Sequence, residues 1–236
     1  MNRTHAILDA LSREAKARKI EVLTKTFGAS EYRRVLEIGT GAGYIASYFG
    51  KRLEMAVTAV DVADERQVME GYDFVQVEST ALPFDACSFD LAITNHVIEH
   101  VGQREVQIHH LQEIYRCLKP GGVLYFAVPN RWRLVEAHYS LPLLSWLPAR
   151  LADKYIRTTR GIGHYDCTPL SNGEVRQILR QVGFEFVDVT LDAIAAMKEI
   201  EGRGIAGYLM GLPKWCWWPL KSIIPTLIFV CKRPVQ

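Results

Sequence analysis

Two imidazoles and a carboxylate, His96, Glu99 and His100, fall within five residues of "NHVIEH" (95–100). Groups of this kind can take the proton from a hydroxyl as it reacts. The same three could offer an N/O ligand set to a divalent cation. His164, in "GIGHYD", is a further candidate proton acceptor. A different chemistry is written earlier in the chain, in "VLEIGTGAGYIASYFG" (35–50). There an apolar run meets Gly39, Gly41 and Gly43, and a helix-like segment follows. Such a loop lets a ligand approach the backbone closely and sets it at a helix N-terminus. Asp61, 20 residues after Gly41, stands where a carboxylate would accept hydrogen bonds from ribose hydroxyls.

The loop by itself leaves two ligands open. Gly41-x-Gly43-x-x-Ala46 matches the G-x-G-x-x-A pattern of dinucleotide binding. Glu37 argues the other way. A carboxylate two residues before the first glycine would face a pyrophosphate at short range, which is unfavourable. It suits a ligand with an ammonium group and no phosphate, a description that S-adenosylmethionine meets.

The elements that must position these groups alternate. Residues 5–27 predict an amphipathic helix, with Ile7, Leu8, Leu11, Ala15, Val22, Leu23 and Phe27 near one face. Short apolar strands are predicted at 33–38, 56–61, 73–78, 89–94 and 123–128, with helices at 43–52 and 104–118. "KPGG" (119–122) reads as the stop between the second of these helices and the fifth strand. Ser171 and Glu174 predict a capping box, Gly183 a helix end, and 184–190 and 226–232 the last two strands. Strands with little polar alternation, separated by helices, imply a mostly parallel sheet covered on both faces. "NHVIEH" then follows the fourth strand, at the carboxyl edge where ligands bind in such sheets. Alternatively, Glu99 and His100 begin a helix and face away.

Four segments, in order, resemble class I S-adenosylmethionine-dependent methyltransferases. "VLEIGTGAG" resembles that family's E-x-G-x-G-x-G, and "VTAVD" its second strand ending in the ribose-binding acid. "VESTALPFDACSFDLAITNHVIEHV" (77–101) and "CLKPGGVLYFAVPN" (117–130) resemble the segments around its fourth and fifth strands. The resemblance implies a Rossmann-like seven-stranded sheet with an antiparallel last strand and S-adenosylmethionine as cofactor. It implies cofactor contacts from Glu37, Gly39, Thr40, Gly41, Gly43, Asp61, Val62, Glu78, Ser79 and Asn95. Where the family usually has Asp near the adenine amino group, this chain has Glu78; Ser79 would offer its backbone N–H to the ring. His96, Glu99, His100 and His164 are the catalytic candidates. Ubiquinone-pathway O-methyltransferases have a similar Glu-His pair and use a divalent metal there. Their additional carboxylate aligns with His96 here, and the expectation is no metal.

The core maps to about 30–129, 169–190 and 226–232 of a single domain, with lid or substrate insertions at 130–168 and 191–225. These insertions hold all five tryptophans, Trp132, Trp146, Trp215, Trp217 and Trp218. Large apolar residues beside Lys and Arg suit a membrane interface, an apolar acceptor tunnel or plain packing. "PNRW…HYSLPLLSWLP" also resembles methyltransferases of bacterial surface-polysaccharide assembly, whose acceptors can be lipid-linked sugars. A net charge of +2 gives no reason to expect nucleic acid. Five scattered cysteines without a C-x-x-C pair, a charged N-terminus and no apolar run of roughly 18–20 residues point to a cytoplasmic protein, with peripheral contact at the inner face of the membrane as an extension. The expectation is methyl transfer to a small or lipid-linked acceptor, at oxygen. An NAD(P)-dependent oxidoreductase and a non-catalytic methyltransferase-like partner subunit are the alternatives.

Overall fold

The computed structural model describes residues 3–27, 31–136, 138–161, 163–201 and 212–235. Helix α1 (Arg3–Phe27) leads into β1 (Arg34–Ile38), α2 (Tyr44–Ser47, continued by a π turn, Tyr48–Arg52) and β2 (Ala56–Asp61). Then come β3 (Asp73–Gln76), β4 (Phe89–Asn95), α3 (Arg104–Cys117) and β5 (Leu118–Pro129). The hairpin β6 (Val135–Glu136) and β7 (Leu141–Pro142) and helix α4 (Ala149–Arg160) follow. Finally come α5 (Asn172–Val182), β8 (Glu185–Asp188), α6 (Thr190–Glu201) and β9 (Thr226–Lys232).

Seven strands form one sheet in the order β3-β2-β1-β4-β5-β9-β8. The first five are parallel, and β9 runs antiparallel to both β5 and β8. The sheet is buried because its strands alternate between two apolar faces rather than between apolar and polar. Leu36 and Ile38 point to the side covered by α3 and α5, with Leu111, Ile114, Val175, Ile178 and Leu179. Val35 points to the side covered by α1, with Ile20, Leu23, Ile93 and Tyr125. Each large side chain so buried contributes about 2 kcal/mol. The capping box forms as predicted. Ser171 N donates to Glu174 Oε2 at 2.8 Å, and Gly183 closes α5 at φ 101°.

Three boundaries differ from the sequence reading. "KPGG" is not a stop: β5 starts at Leu118, and the pairing with β4 jumps from Phe89↔Leu118 to Leu91↔Val123 across a bulge. The first part of 191–225 is not insertion, because α6 packs on α1 and β9. Its buried contacts come from Ala193 and Ala196, too small to make a conspicuous apolar stripe. The buried stripe of α1 runs through Ala17, Ile20, Leu23 and Thr24, whereas Val22 is exposed. The side chains of Ile7, Leu8 and Leu11 lie outside the described residues.

Residues 130–168 form a compact unit around Leu141, Leu144, Ala152 and Ile156. Asn130 anchors it. Its Nδ2 donates to the Ser222 and Ile224 carbonyls at 2.8 and 3.0 Å, and its Oδ1 accepts from Trp132 N at 3.0 Å. One buried side chain therefore joins the chain just after β5 to the segment leading into β9.

Candidate active site

The chain runs outward from β1 to β3 and then returns to lay β4 beside β1. This reversal opens a crevice at the carboxyl ends of β1 and β4, the place where open α/β sheets bind ligands. A cavity of about 540 Å³ lies there, walled by Gly39, Gly41, Asp61, Glu78, Ser79, His96 and His100 among others. Val62 lines it too, and apolar wall is supplied by Ile38, Val77, Leu82, Val97 and Val101.

The three glycines have three different jobs. Gly39 has φ 78°, and a Cβ there would lie 2.2 Å from Val97 Cγ2. Gly43 has φ 85°, and a Cβ would lie 2.2 Å from the Val68 carbonyl oxygen. Only Gly41 (φ 50°) opens onto empty space, where an added Cβ would meet nothing within 4 Å. Its N–H donates to Asp61 Oδ2 at 2.8 Å, while Val62 N donates to Asp61 Oδ1 at 2.7 Å. Asp61 thus holds the loop and still faces the cavity. Thr40 lies beneath, its N–H and hydroxyl both donating to the Val60 carbonyl at 3.3 Å.

Glu37 is placed under the loop rather than in the cavity wall. Alternation along β1 sends it to the α1 side, where it accepts the backbone N–H of Ala46 at the start of α2. Burial pushes its carboxyl up to about 8, and the nearby Asp61 charge adds to this. Among the described residues its Oε2 has no hydrogen-bond partner. A buried, unpartnered carboxylate oxygen beside a glycine loop fits a ligand carrying an ammonium group and disfavours a pyrophosphate.

The other end of the cavity belongs to "NHVIEH". His96 has the left-handed φ 60°, rare for a residue with a Cβ, and its N–H donates to the Ala127 carbonyl at 2.9 Å. This bend turns the imidazole into the cavity, one third exposed, with Nδ1 3.6 Å from Glu99 Oε1 and Nε2 3.4 Å from Thr226 Oγ1. Glu99 is fully buried, and among the described residues neither carboxylate oxygen has a hydrogen-bond partner. Its backbone carbonyl accepts Thr168 N at 2.8 Å, and Gln107 Nε2 donates to both the Ile98 and Thr168 carbonyls. These bonds lock the post-β4 turn to residues 166–168. Glu99 and His100 therefore do not start a helix facing away; α3 begins only at Arg104.

Asn95 ends β4 and lies outside the cavity wall, as do Thr40, Gly43 and Glu37. His164 is exposed and also outside the wall. The sequence reading missed His110, which lines the cavity from α3 with Nε2 unpartnered and its imidazole lowered by burial to about 4. It shares a helical face with Gln107, Leu111 and Ile114, and that spacing could have found it. Thr226 was missed too, because its approach to His96 spans 130 residues.

A family model for the methyltransferase domain matches residues 3–189. The malonyl-[acyl-carrier protein] O-methyltransferase of Salmonella typhimurium is 27% identical over 191 residues, covering 74% of this chain and 65% of that protein. The ubiquinone/menaquinone biosynthesis C-methyltransferase of Xanthomonas oryzae pv. oryzae is 34% identical over 143 residues, covering 52% and 55%. The chain thus spans less than two thirds of the length of these two relatives. Among solved structures, a SAM-dependent methyltransferase of Methanosarcina mazei superposes with a TM-score of 0.57 at 17% identity, covering 91% of this chain and 98% of that one. That likeness concerns the fold, whose seven-stranded sheet and antiparallel last strand agree with the sequence expectation. The family match decides between the two cofactors, and the chain belongs to the class I S-adenosylmethionine-dependent methyltransferases.

Proposed function

We propose that this protein moves a methyl group from S-adenosylmethionine to an oxygen of a small or lipid-linked acceptor, with His96 as general base. The observation that carries this is the buried Glu99 carboxylate 3.6 Å behind His96 Nδ1. A carboxylate on that side would favour the tautomer with the proton on Nδ1, in which Nε2 can accept one. The cofactor supplies an electrophilic methyl on a sulfonium leaving group. Gly41 and Asp61 would hold the ribose end, and Glu78 and Ser79, at the cavity wall, the adenine. His96 would take the acceptor's proton at Nε2, the acceptor hydroxyl displacing the Thr226 hydroxyl that lies 3.4 Å from that nitrogen. The apolar wall excludes water and fixes the approach, which is the larger part of the catalytic task. The two curated relatives methylate different elements, one at oxygen and one at carbon, by their names. The His96–Glu99 pair suits an acceptor that must lose a proton, as a hydroxyl does.

Calorimetric titration of the purified chain separates the cofactors. S-adenosylhomocysteine should bind and NADH should not; the reverse result defeats the proposal.

The lipid-linked part rests on Trp215 and Trp218, each 75% exposed, beside Leu220. Among the described residues no helix is long and apolar enough to cross a membrane. Contact would be peripheral, through these rings. Flotation with anionic vesicles, lost in a Trp215→Ala/Trp218→Ala variant that still binds S-adenosylhomocysteine, is the expected outcome; a wild-type chain that never floats counts against it.

A further inference from the structure

We propose that His100, His138 and Cys167 form a site for a divalent transition-metal ion of the zinc type, joining the first insertion to the sheet. It uses a ligand set other than the His96, Glu99 and His100 offered by the sequence. One ligand atom from each residue lies within 4.8 Å of the others. His100 Nδ1 is 3.7 Å from Cys167 Sγ, and the His100 and His138 rings stand edge to face with centroids 4.9 Å apart. A tetrahedral zinc, with Zn–N near 2.0 Å and Zn–S near 2.3 Å, holds N and S about 3.5 Å apart, so the first pair needs almost no movement.

The surroundings supply a second, independent observation. Glu99 is fully buried with both oxygens unpartnered, and its Oε1 lies 3.9 Å from His100 Nε2. A carboxylate on that side favours Nε2–H and leaves the Nδ1 lone pair toward Cys167. This is how a carboxylate outside the coordination sphere orients a metal-binding histidine. Asp166 Oδ1 lies 3.5 Å from Cys167 Sγ, held by Tyr139 O–H at 2.7 Å. The carboxylates of Asp166 and Glu99 beside the cluster favour a cation there. Three protein ligands leave the fourth position to water.

The three residues come from three segments. His100 is in the turn after β4, His138 between β6 and β7, and Cys167 just before α5. A bound ion would therefore staple the insertion over the His96 end of the cavity. This site stands whether or not the methyl acceptor is an alcohol.

The test is titration of the metal-free full chain with Co²⁺, read by absorption. One equivalent should bind with a thiolate-to-cobalt charge-transfer band and tetrahedral ligand-field bands, and Zn²⁺ should displace it. Cys167→Ser should abolish the charge-transfer band, and Cys87→Ser, at an exposed cysteine elsewhere, should keep it. His138→Ala, at an exposed position, should fold normally and weaken binding at least tenfold. No charge-transfer band in the wild type, or a band that survives both Cys167→Ser and His138→Ala, overturns the site. Melting of the metal-free variants identifies any that fail to fold, and His138→Ala then carries the test alone.

Discussion

The wall around Gly41 and Asp61 is held by near neighbours in the chain, whereas the wall at His96, backed by the buried Glu99, is held by distant ones. At the first wall, one loop and the next strand end suffice: Gly39, Thr40 and Gly41 are bonded to Val60 and Asp61. At the second, Thr168, Gln107, Ala127 and Thr226 all take part, from four separate stretches of chain. A cofactor common to a family can be gripped by a local motif. An acceptor peculiar to one enzyme needs a surface that can be redesigned piece by piece.

That contrast can be broken most severely at His96. Replacing it by Ala should lower kcat about 10²- to 10⁴-fold, the usual worth of a general base, while S-adenosylhomocysteine binds as before. An unchanged kcat would mean that positioning alone drives the reaction. On the other wall, Asp61→Ala should weaken S-adenosylhomocysteine binding by about 1–3 kcal/mol, measured by calorimetry, with little change in kcat at saturation. Equal loss in both quantities would erase the division of labour between the walls.

Within the glycine loop the comparison becomes one of stability. Gly43→Ala should cost about 3 kcal/mol in denaturant unfolding, from left-handed strain plus a clash with the Val68 carbonyl. Gly41→Ala should cost about 1 kcal/mol and act mainly on cofactor affinity. Reversed costs would contradict the assigned roles.

Glu37 gives a pH signature. Its folded pKa, about 8, lies above the unfolded value near 4.5, so the folded state holds the proton more tightly. This contribution is complete below pH 4.5 and is lost as pH rises toward 8. Glu37→Gln should therefore gain stability relative to wild type between pH 5 and pH 8; parallel pH profiles would show that Glu37 is not buried as described. The smallest effect is expected at exposed His164, where Ala should change transition-state stabilisation by no more than about 0.5 kcal/mol. A larger loss in kcat/KM would bring His164 into the reaction.

Legibility in the sequence follows the same line. The mostly parallel sheet and the capping box were readable because local periodicity and turn residues set them; the reversal between β1 and β4 was not, since it is a matter of strand order. Asp61, Gly41, Glu78 and Ser79 reach the cavity because strand ends and the loops that follow them define it. His96 and His100 were readable from their place after β4. The burial of Glu99 was not, since it depends on Thr168 and Gln107 closing over it. His138 and Cys167 carry no pattern at all; a separation of 67 residues between His100 and Cys167 is invisible to spacing rules. Helix α6 escaped because alanines bury little area.

Strand β9 has a bearing on how the chain is made. It pairs with β5 along Val123–Pro129 and is the sole described strand that β8 pairs with. During synthesis, β5 therefore waits with an open edge while roughly a hundred further residues emerge. Until 226–232 arrive, that apolar edge invites pairing with another chain. Late closure of a central strand makes the pairing of β5 non-local, the kind of contact that slows folding and leaves an edge exposed meanwhile.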